Sequence, residues 1–226
     1  MIEAVIFDLD GVICHTDQYH YQAWKTIADR LRIPFDEHIN ARLRGVSRME
    51  SLEIILAQSG NNYLQREKEQ LAEEKNRIYQ SFLRKMTPAD LDPETSHTLD
   101  ALREMGLKLA IGSSSRNTSL ILRRLGLDGF FDAVADGTQI KHSKPDPEVF
   151  LLAASLLGVQ PCRALVVEDA PAGIQAAKAG GFLAAGLGDA AQVFETDFSI
   201  EALTELSKIT GYVKSNGFWR GMGSKR

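Results

Sequence analysis

The sequence predicts an α/β fold: a Rossmann-like parallel sheet core with a helical cap domain inserted after the first strand. Three observations predict it. Short apolar runs recur along the chain, each ends in a polar or glycine-containing cluster, and each is followed by a stretch with helical spacing. Strands that are apolar throughout, rather than alternating, belong to parallel sheets covered on both faces. One long segment after the first run shows helical spacing and no strand, so it reads as an insert.

Taken in order, Ala4-Val5-Ile6-Phe7 is the first strand and ends in Asp8-Leu9-Asp10-Gly11. From Tyr19 to about Lys85 the chain is rich in charge, and Trp24, Ile27, Ala28 and Leu31 fall on one helical face. Thr87-Pro88-Ala89-Asp90-Leu91-Asp92-Pro93 reads as the link back to the sheet. Further strands are expected at Leu107–Ile111, Ala133–Ala135, Ala164–Val167 and Phe182–Ala185. Helices are expected over Thr95–Met105, Asn117–Leu125, Pro147–Leu157 and Pro171–Ala179; Pro147 and Pro171 suit a first helical turn, and Gly126 and Gly158 suit helix ends. The expected organisation is a core of residues 1–14 and 88–212, a cap of residues 15–87, and a flexible tail of residues 213–226. That tail carries four positive side chains, no negative one and three glycines.

Composition excludes several classes of function. The 226 residues are 44% hydrophobic and 25% charged, ordinary for a folded chain, and long enough for one good-sized core with a smaller companion. A net charge of −4 supplies no basic footprint for nucleic acid and no polybasic membrane patch. No apolar run reaches the roughly 20 residues that span a bilayer. Met1-Ile2-Glu3 shows no feature of a secretory signal, and two cysteines, Cys14 and Cys162, make no disulfide scaffold. The expectation is a cytoplasmic monomer acting on a small molecule.

The chemistry gathers at the C-terminal ends of the strands, the edge where open parallel sheets bind ligands. Residues two apart on an extended segment project the same way, so Asp8 and Asp10 can share a site while Leu9 faces the core; Gly11 permits the turn. Taken alone, this pair is equally compatible with a solvated turn. Glu168-Asp169 adds two carboxylates at another strand end, which would repel the first pair unless a hard cation such as magnesium sat among them. Ser113-Ser114-Ser115-Arg116-Asn117 opens a helix with hydroxyls and backbone N–H groups suited to a phosphate. Lys144, in Ser143-Lys144-Pro145, can neutralise a phosphoryl group. Together the clusters specify phosphoryl transfer: an ionised carboxylate needs no base to attack phosphorus, and Asp10 can protonate the leaving oxygen and later take a proton back.

These four clusters, in the chain order Asp8-Leu9-Asp10-Gly11, Ser113, Lys144-Pro145 and Glu168-Asp169 and across nearly the whole chain, resemble the motifs of the haloacid dehalogenase superfamily. The resemblance implies Asp8 as nucleophile, and magnesium held by the Asp8 side chain, the Asp10 carbonyl and Asp169, with Glu168 close by. Asp10 points to the phosphatases and phosphomutases of that superfamily. Further stretches resemble its β-phosphoglucomutase branch: Tyr19-His20 with Ala23-Trp24, Arg44-Gly45-Val46-Ser47-Arg48, Lys75-Asn76, Thr87-Pro88-Ala89-Asp90 and Ser115-Arg116-Asn117. That branch implies interconversion of β-glucose 1-phosphate and glucose 6-phosphate through an aspartyl phosphate and a bound β-glucose 1,6-bisphosphate. Ser113, Ser114 and Lys144 would hold one phosphate. Gly45, Val46, Ser47, Arg48 and Lys75 from the cap, with Ser115, Arg116 and Asn117 from the core, would hold the rest of the substrate. Thr16 and His20 match hinge positions that orient Asp10. Cys14-His15 and Arg44 depart from the usual residues of the branch, and Cys14 reads as a small packed side chain. Two other readings stay open at this point. One is a capped magnesium-dependent phosphatase of a hexose phosphate or other small ester, with Lys75 as a Schiff-base candidate for phosphonates. The other is a catalytically silent sugar-phosphate sensor.

Overall fold

The computed structural model describes residues 1–43 and 46–215, the last four through their backbone. Six parallel strands form one sheet in the order β3-β2-β1-β4-β5-β6: β1 (Ala4–Phe7), β2 (Lys108–Gly112), β3 (Ala133–Ala135), β4 (Ala164–Glu168), β5 (Leu183–Gly186) and β6 (Phe198–Ser199). The chain order reverses at β1, between β2 and β4, and such a switch point opens a crevice beyond the strand ends. In register, Phe7 lies opposite Ile111 on one side and Val167 on the other. Asp8, Gly112 and Glu168 therefore leave the sheet at one level.

Every β1 residue is buried, because helices cover both faces. On one face Val5, Phe7, Leu109, Ile111, Leu165 and Val167 pack against Leu99 and Leu102 of α5 (Pro93–Glu104) and Ile121 and Leu122 of α6 (Thr118–Arg124). On the other, Ala4, Ile6, Ala110 and Val166 meet Val149, Phe150 and Ala153 of α7 (Glu148–Leu157) and Ile174 and Ala177 of α8 (Pro171–Ala179). Each fully buried Ile, Val or Phe contributes on the order of 1.5–3 kcal/mol. The small residues Ala4 and Ala110 let α7 approach closely enough for Phe150 to lie over Gly112, where a Cβ would stand 2.7 Å from its ring.

Between β1 and α5 lie α1 (Asp17–Leu31), α2 (Glu37–Ala41), α3 (Arg48–Leu56) and α4 (Gln65–Leu83). They carry an apolar cluster of their own, built from Trp24, Ile27, Ala28, Leu52, Ile55, Leu56 and Leu71. Ala23, Tyr79, Leu83 and Met86 instead join the sheet-side core. The two long helices α1 and α4 thus cross from one cluster to the other, tying the helical layer to the strand ends. Among the described residues no helix is long and apolar enough to cross a membrane.

Elements differ from expectation at the margins. α5 begins at Pro93, two residues early, because Asp92 caps it by accepting from the Thr95 N–H at 2.9 Å. β6, two residues long, and α9 (Leu206–Ser215) were not anticipated. α9 takes residues 213–215 from the expected tail; the remainder, 216–226, and Arg44 and Gly45 lie outside the described residues.

Candidate active site

β1 delivers Asp8 to the sheet edge, where its backbone N–H donates to the Val167 carbonyl at 2.9 Å. Asp8 is 7% exposed, and its carboxylate accepts from the Lys144 ammonium, which also donates to Glu168. Lys144, expected to neutralise a phosphoryl group, is 1% exposed and lies 4.6 Å from the centre of the Phe150 ring. Desolvation works against its charge, but the Asp8 and Glu168 carboxylates outweigh it and hold the ammonium well above its ordinary value. Asp8 itself is pushed up by burial; Lys144 opposes that shift, while Glu168, Asp169 and Asp10 add to it. Asp8, Glu168 and Asp169 bring ligand oxygens within 4.8 Å of one another. Of Glu168, one oxygen meets Lys144 and the other accepts the N–H groups of Asp169 (2.9 Å) and Ala170 (3.0 Å), so this side chain orders both the lysine and the Asp169 turn.

Gly11 has φ +94°, and a Cβ there would stand 2.1 Å from Asp169 Oδ2. Gly11→Ala is therefore expected to destabilise the fold by about 1–3 kcal/mol through its backbone alone. By displacing Asp169 it should also lower kcat/KM at least tenfold. Thermal melting and steady-state kinetics on the purified variant check both.

Asp10 lines the same cavity as Asp8 and is bonded to the start of α1. Its Oδ1 accepts from the Thr16 hydroxyl, which in turn accepts from Tyr79 OH at 3.0 Å. Thr16 occupies the N-cap position of α1 yet makes no side-chain cap, because its hydroxyl is committed to Asp10. Burial raises the Asp10 pKa against the pull of the Thr16 bond. A carboxyl whose pKa is raised is better suited to hold a proton and pass it to a leaving oxygen.

The serine loop after β2 differs in detail from a simple helix N-terminus. The Ser115 and Asn117 N–H groups are taken at 3.2 Å by the hydroxyls of Ser113 and Ser115, so the loop is braced from within. The Ser114 and Arg116 N–H groups have no partner among the described residues. Ser114 Oγ is buried and likewise has no hydrogen bond. A buried polar atom left in this way marks a place where a ligand oxygen fits.

The helical layer closes the other side. A cavity of about 500 Å³ is lined by Asp8, Asp10, Lys144, the serine loop, Val46, Ser47, Arg48, His20 and Lys75. Ser47 is largely a helix cap: its hydroxyl accepts from the Glu50 N–H at 3.3 Å while Glu50 accepts the Ser47 N–H at 2.8 Å. That box points Arg48, the first residue of α3, into the cavity. Burial and then the nearby Arg116 hold the Arg48 guanidinium below its ordinary value; two like charges on one wall are an arrangement an anion relieves. Asn117, expected at the phosphate, is 6% exposed with its amide engaged by α4: it donates to Asn76 Oδ1 at 3.0 Å and accepts from Gln80 at 2.9 Å. It ties the helical layer to the serine loop. Lys75 Nζ lies 2.8 Å from His20 Nδ1. Cys14 is buried, as its reading as a packed side chain requires.

Tyr79 and Gln80 were missed. Their signal was on α4, where Lys75, Asn76, Tyr79 and Gln80 recur at helical spacing on a face that would otherwise be apolar. Glu148 was missed too. Its carboxylate accepts the Lys141 and His142 N–H groups at 3.0 and 2.8 Å, shaping the loop that carries Lys144.

The sequence profile of haloacid dehalogenase-like hydrolases matches residues 2–181. A β-phosphoglucomutase of Bacillus subtilis is 44% identical over 208 residues, covering 91% of this chain and 92% of that protein. A phosphorylated carbohydrates phosphatase of Thermotoga maritima is 34% identical over 183 residues, 80% of this chain and 82% of its own. The crystal structure of a Clostridium difficile β-phosphoglucomutase superposes with a TM-score of 0.88 at 36% identity, covering 96% of this chain and 98% of that one.

Proposed function

The chain belongs to the haloacid dehalogenase-like hydrolase family, and from that premise we propose that it is a β-phosphoglucomutase that interconverts β-glucose 1-phosphate and glucose 6-phosphate. The observation that carries this reading is a single cavity with two sets of phosphate-binding groups. Lys144, Ser113 and Ser114 line it together with Asp8, and Arg48 and Arg116 line it as a second, separate cationic pair; in this reading the two sets serve the two ends of the substrate. A mutase must hold two phosphates at once; a hydrolase of monophosphates needs only one such set.

In this reading the Asp8 carboxylate attacks phosphorus and becomes an aspartyl phosphate. Lys144 and the Ser114 N–H receive the phosphoryl oxygens as charge develops on them. Asp10 takes the proton of the C6 hydroxyl as β-glucose 1-phosphate attacks the aspartyl phosphate and becomes β-glucose 1,6-bisphosphate. Once that has turned end for end and Asp8 attacks its C1 phosphate, Asp10 returns the proton to the leaving C1 oxygen, so that glucose 6-phosphate departs and the aspartyl phosphate is restored. Residues 15–87 act as the cap: bonds between Thr16 and Asp10, and between Asn76 and Gln80 and Asn117, hold it against the core and keep water from the aspartyl phosphate. The hard oxygen donors of Asp8 and Asp169, in a cluster whose carboxylates outnumber its one lysine, fit magnesium. Held by those two side chains and the Asp10 carbonyl, magnesium would supply positive charge that offsets repulsion between nucleophile and phosphoryl oxygens. The substrate is a small sugar phosphate.

The test is a product assay on β-glucose 1-phosphate with Mg2+ and a trace of the bisphosphate. Glucose 6-phosphate is expected, and inorganic phosphate released at a comparable rate would refute the reading. A capped phosphatase is the second reading, favoured by the 34% identity to the carbohydrate phosphatase. Arg48→Ala separates the two. Loss of a charge-assisted hydrogen bond of about 2–3 kcal/mol should lower mutase kcat/KM on the order of 100-fold, while hydrolysis of small monophosphates stays within a few-fold.

A further inference from the structure

Tyr79 stands at the far end of a chain of hydroxyls that leads to Asp10. It is buried on α4, and its hydroxyl makes one hydrogen bond among the described residues, to Thr16 Oγ1 at 3.0 Å. Thr16 is fully buried and bonds onward to Asp10 Oδ1. Each hydroxyl carries one proton, and a carboxylate only accepts. Ionised Asp10 therefore takes the Thr16 proton, and Thr16 must accept from Tyr79. The same direction holds when Asp10 is protonated. Were Oδ1 to donate to Thr16, Thr16 would have to turn its own proton toward Tyr79, and one buried proton of the chain would be left without an acceptor. A buried donor with no partner is costly, so the chain stays as it is. Oδ1 is thus held as an acceptor. The proton that Asp10 carries is confined to Oδ2, which has no hydrogen bond among the described residues.

We propose that the Tyr79 hydroxyl is a positioning group for the acid–base step: acting through Thr16, it keeps the transferable proton of Asp10 on Oδ2, the oxygen left for the substrate. The proposal rests on the reading of Asp8 as nucleophile and Asp10 as proton carrier, and holds for a mutase or a phosphatase alike. As Asp8 bonds to phosphorus, the bond from phosphorus to the sugar oxygen breaks, and its electron pair stays on that oxygen, which takes the Oδ2 proton. Asp10 is left as a carboxylate whose Oδ1 still accepts from Thr16. Without the Tyr79 hydroxyl, Thr16 is free to turn and accept from Oδ1, so the proton divides between a productive oxygen and an unproductive one. The Tyr79 ring has contacts of its own. Lys75 Nζ lies 4.6 Å from its centre, and the centre of the His20 ring lies 4.1 Å away. Tyr79→Phe keeps the ring and removes the hydroxyl alone.

The test compares two phosphoryl donors on the full-length protein with Mg2+, by rapid acid quench of the phosphorylated enzyme. Acetyl phosphate expels acetate, a stable anion that needs no proton; β-glucose 1,6-bisphosphate expels a sugar oxygen that does. Tyr79→Phe is expected to slow transfer from the bisphosphate about tenfold and to leave transfer from acetyl phosphate within about twofold of the parent. Thr16→Val should show the same selective loss, Thr16→Ser should restore the parent rate, and adding Tyr79→Phe to Thr16→Val should cost nothing more. Equal slowing with both donors would overturn the proposal, because a merely structural change does not sense the leaving group. An unchanged rate with the bisphosphate, or losses that add across Tyr79 and Thr16, would overturn it too. A parent protein that hydrolyses hexose monophosphates and takes no phosphate from the bisphosphate would refute the mutase reading alone; the same contrast is then read between glucose 6-phosphate and acetyl phosphate, with the same deciding results.

Discussion

Asp8→Asn is expected to lower kcat by at least ~10⁴-fold, as loss of a covalent nucleophile does elsewhere, while leaving the protein folded. The amide has nearly the shape of the carboxylate but cannot form the aspartyl ester. Folding should tolerate the change because Asp8 is a buried carboxylate that burial and its acidic neighbours already push toward neutrality. Lys144 retains Glu168 as a partner. Circular dichroism and thermal melting should match the parent within a few degrees, and single-turnover assays should show no phosphorylated protein. Activity within tenfold of the parent would mean that another group attacks phosphorus.

Lys144→Ala should have the second-largest effect, and on two quantities. Removing the ammonium leaves Asp8 and Glu168 buried without their shared cation, and breaking a buried ion pair in this way costs on the order of 3–5 kcal/mol. The phosphoryl group also loses its cationic partner, for a further loss in kcat on the order of 10³-fold. The stability deficit has a predictable pH dependence. Without Lys144 nothing opposes the burial and acidic neighbours that raise the Asp8 pKa, so its folded-state value stands above the unfolded value of about 4 and the folded variant binds a proton that the unfolded chain does not. Its deficit therefore shrinks as pH falls from neutrality through that raised value and grows as pH rises. Denaturant titrations of parent and variant at several pH values measure it; a deficit independent of pH would place the stabilising role of Lys144 in packing against Phe150.

Much of this site could be read in the sequence because its residues sit where the backbone pattern ends. Asp8, Ser113 and Glu168-Asp169 each follow an apolar run, and a parallel sheet brings such ends to one edge whatever the loops do. Side-chain commitments were less legible. Thr16 and Asn117 occupy N-cap positions and look like local caps, yet neither side chain caps its helix: Thr16 bonds Asp10 in the turn before α1, and Asn117 bonds the α4 amides, 41 and 37 residues away. Ser47 is the reverse case: it reads as a ligand by resemblance and largely completes its own helix cap. Tyr79 looks like core filling, and only the folded chain places its hydroxyl on Thr16. β6, with two residues, is too short to show a period, and its place at the sheet edge comes from pairing with β5 alone.

The account depends on phosphate passing through the side chain of residue 8. Rapid acid quench of the enzyme with β-glucose 1,6-bisphosphate, followed by peptide mapping, tests that directly. One phosphoryl group on the peptide that contains Asp8, formed and discharged at rates at least equal to turnover, is the predicted result. A quenched enzyme that turns over but carries no phosphate, or carries it on another residue, would contradict it.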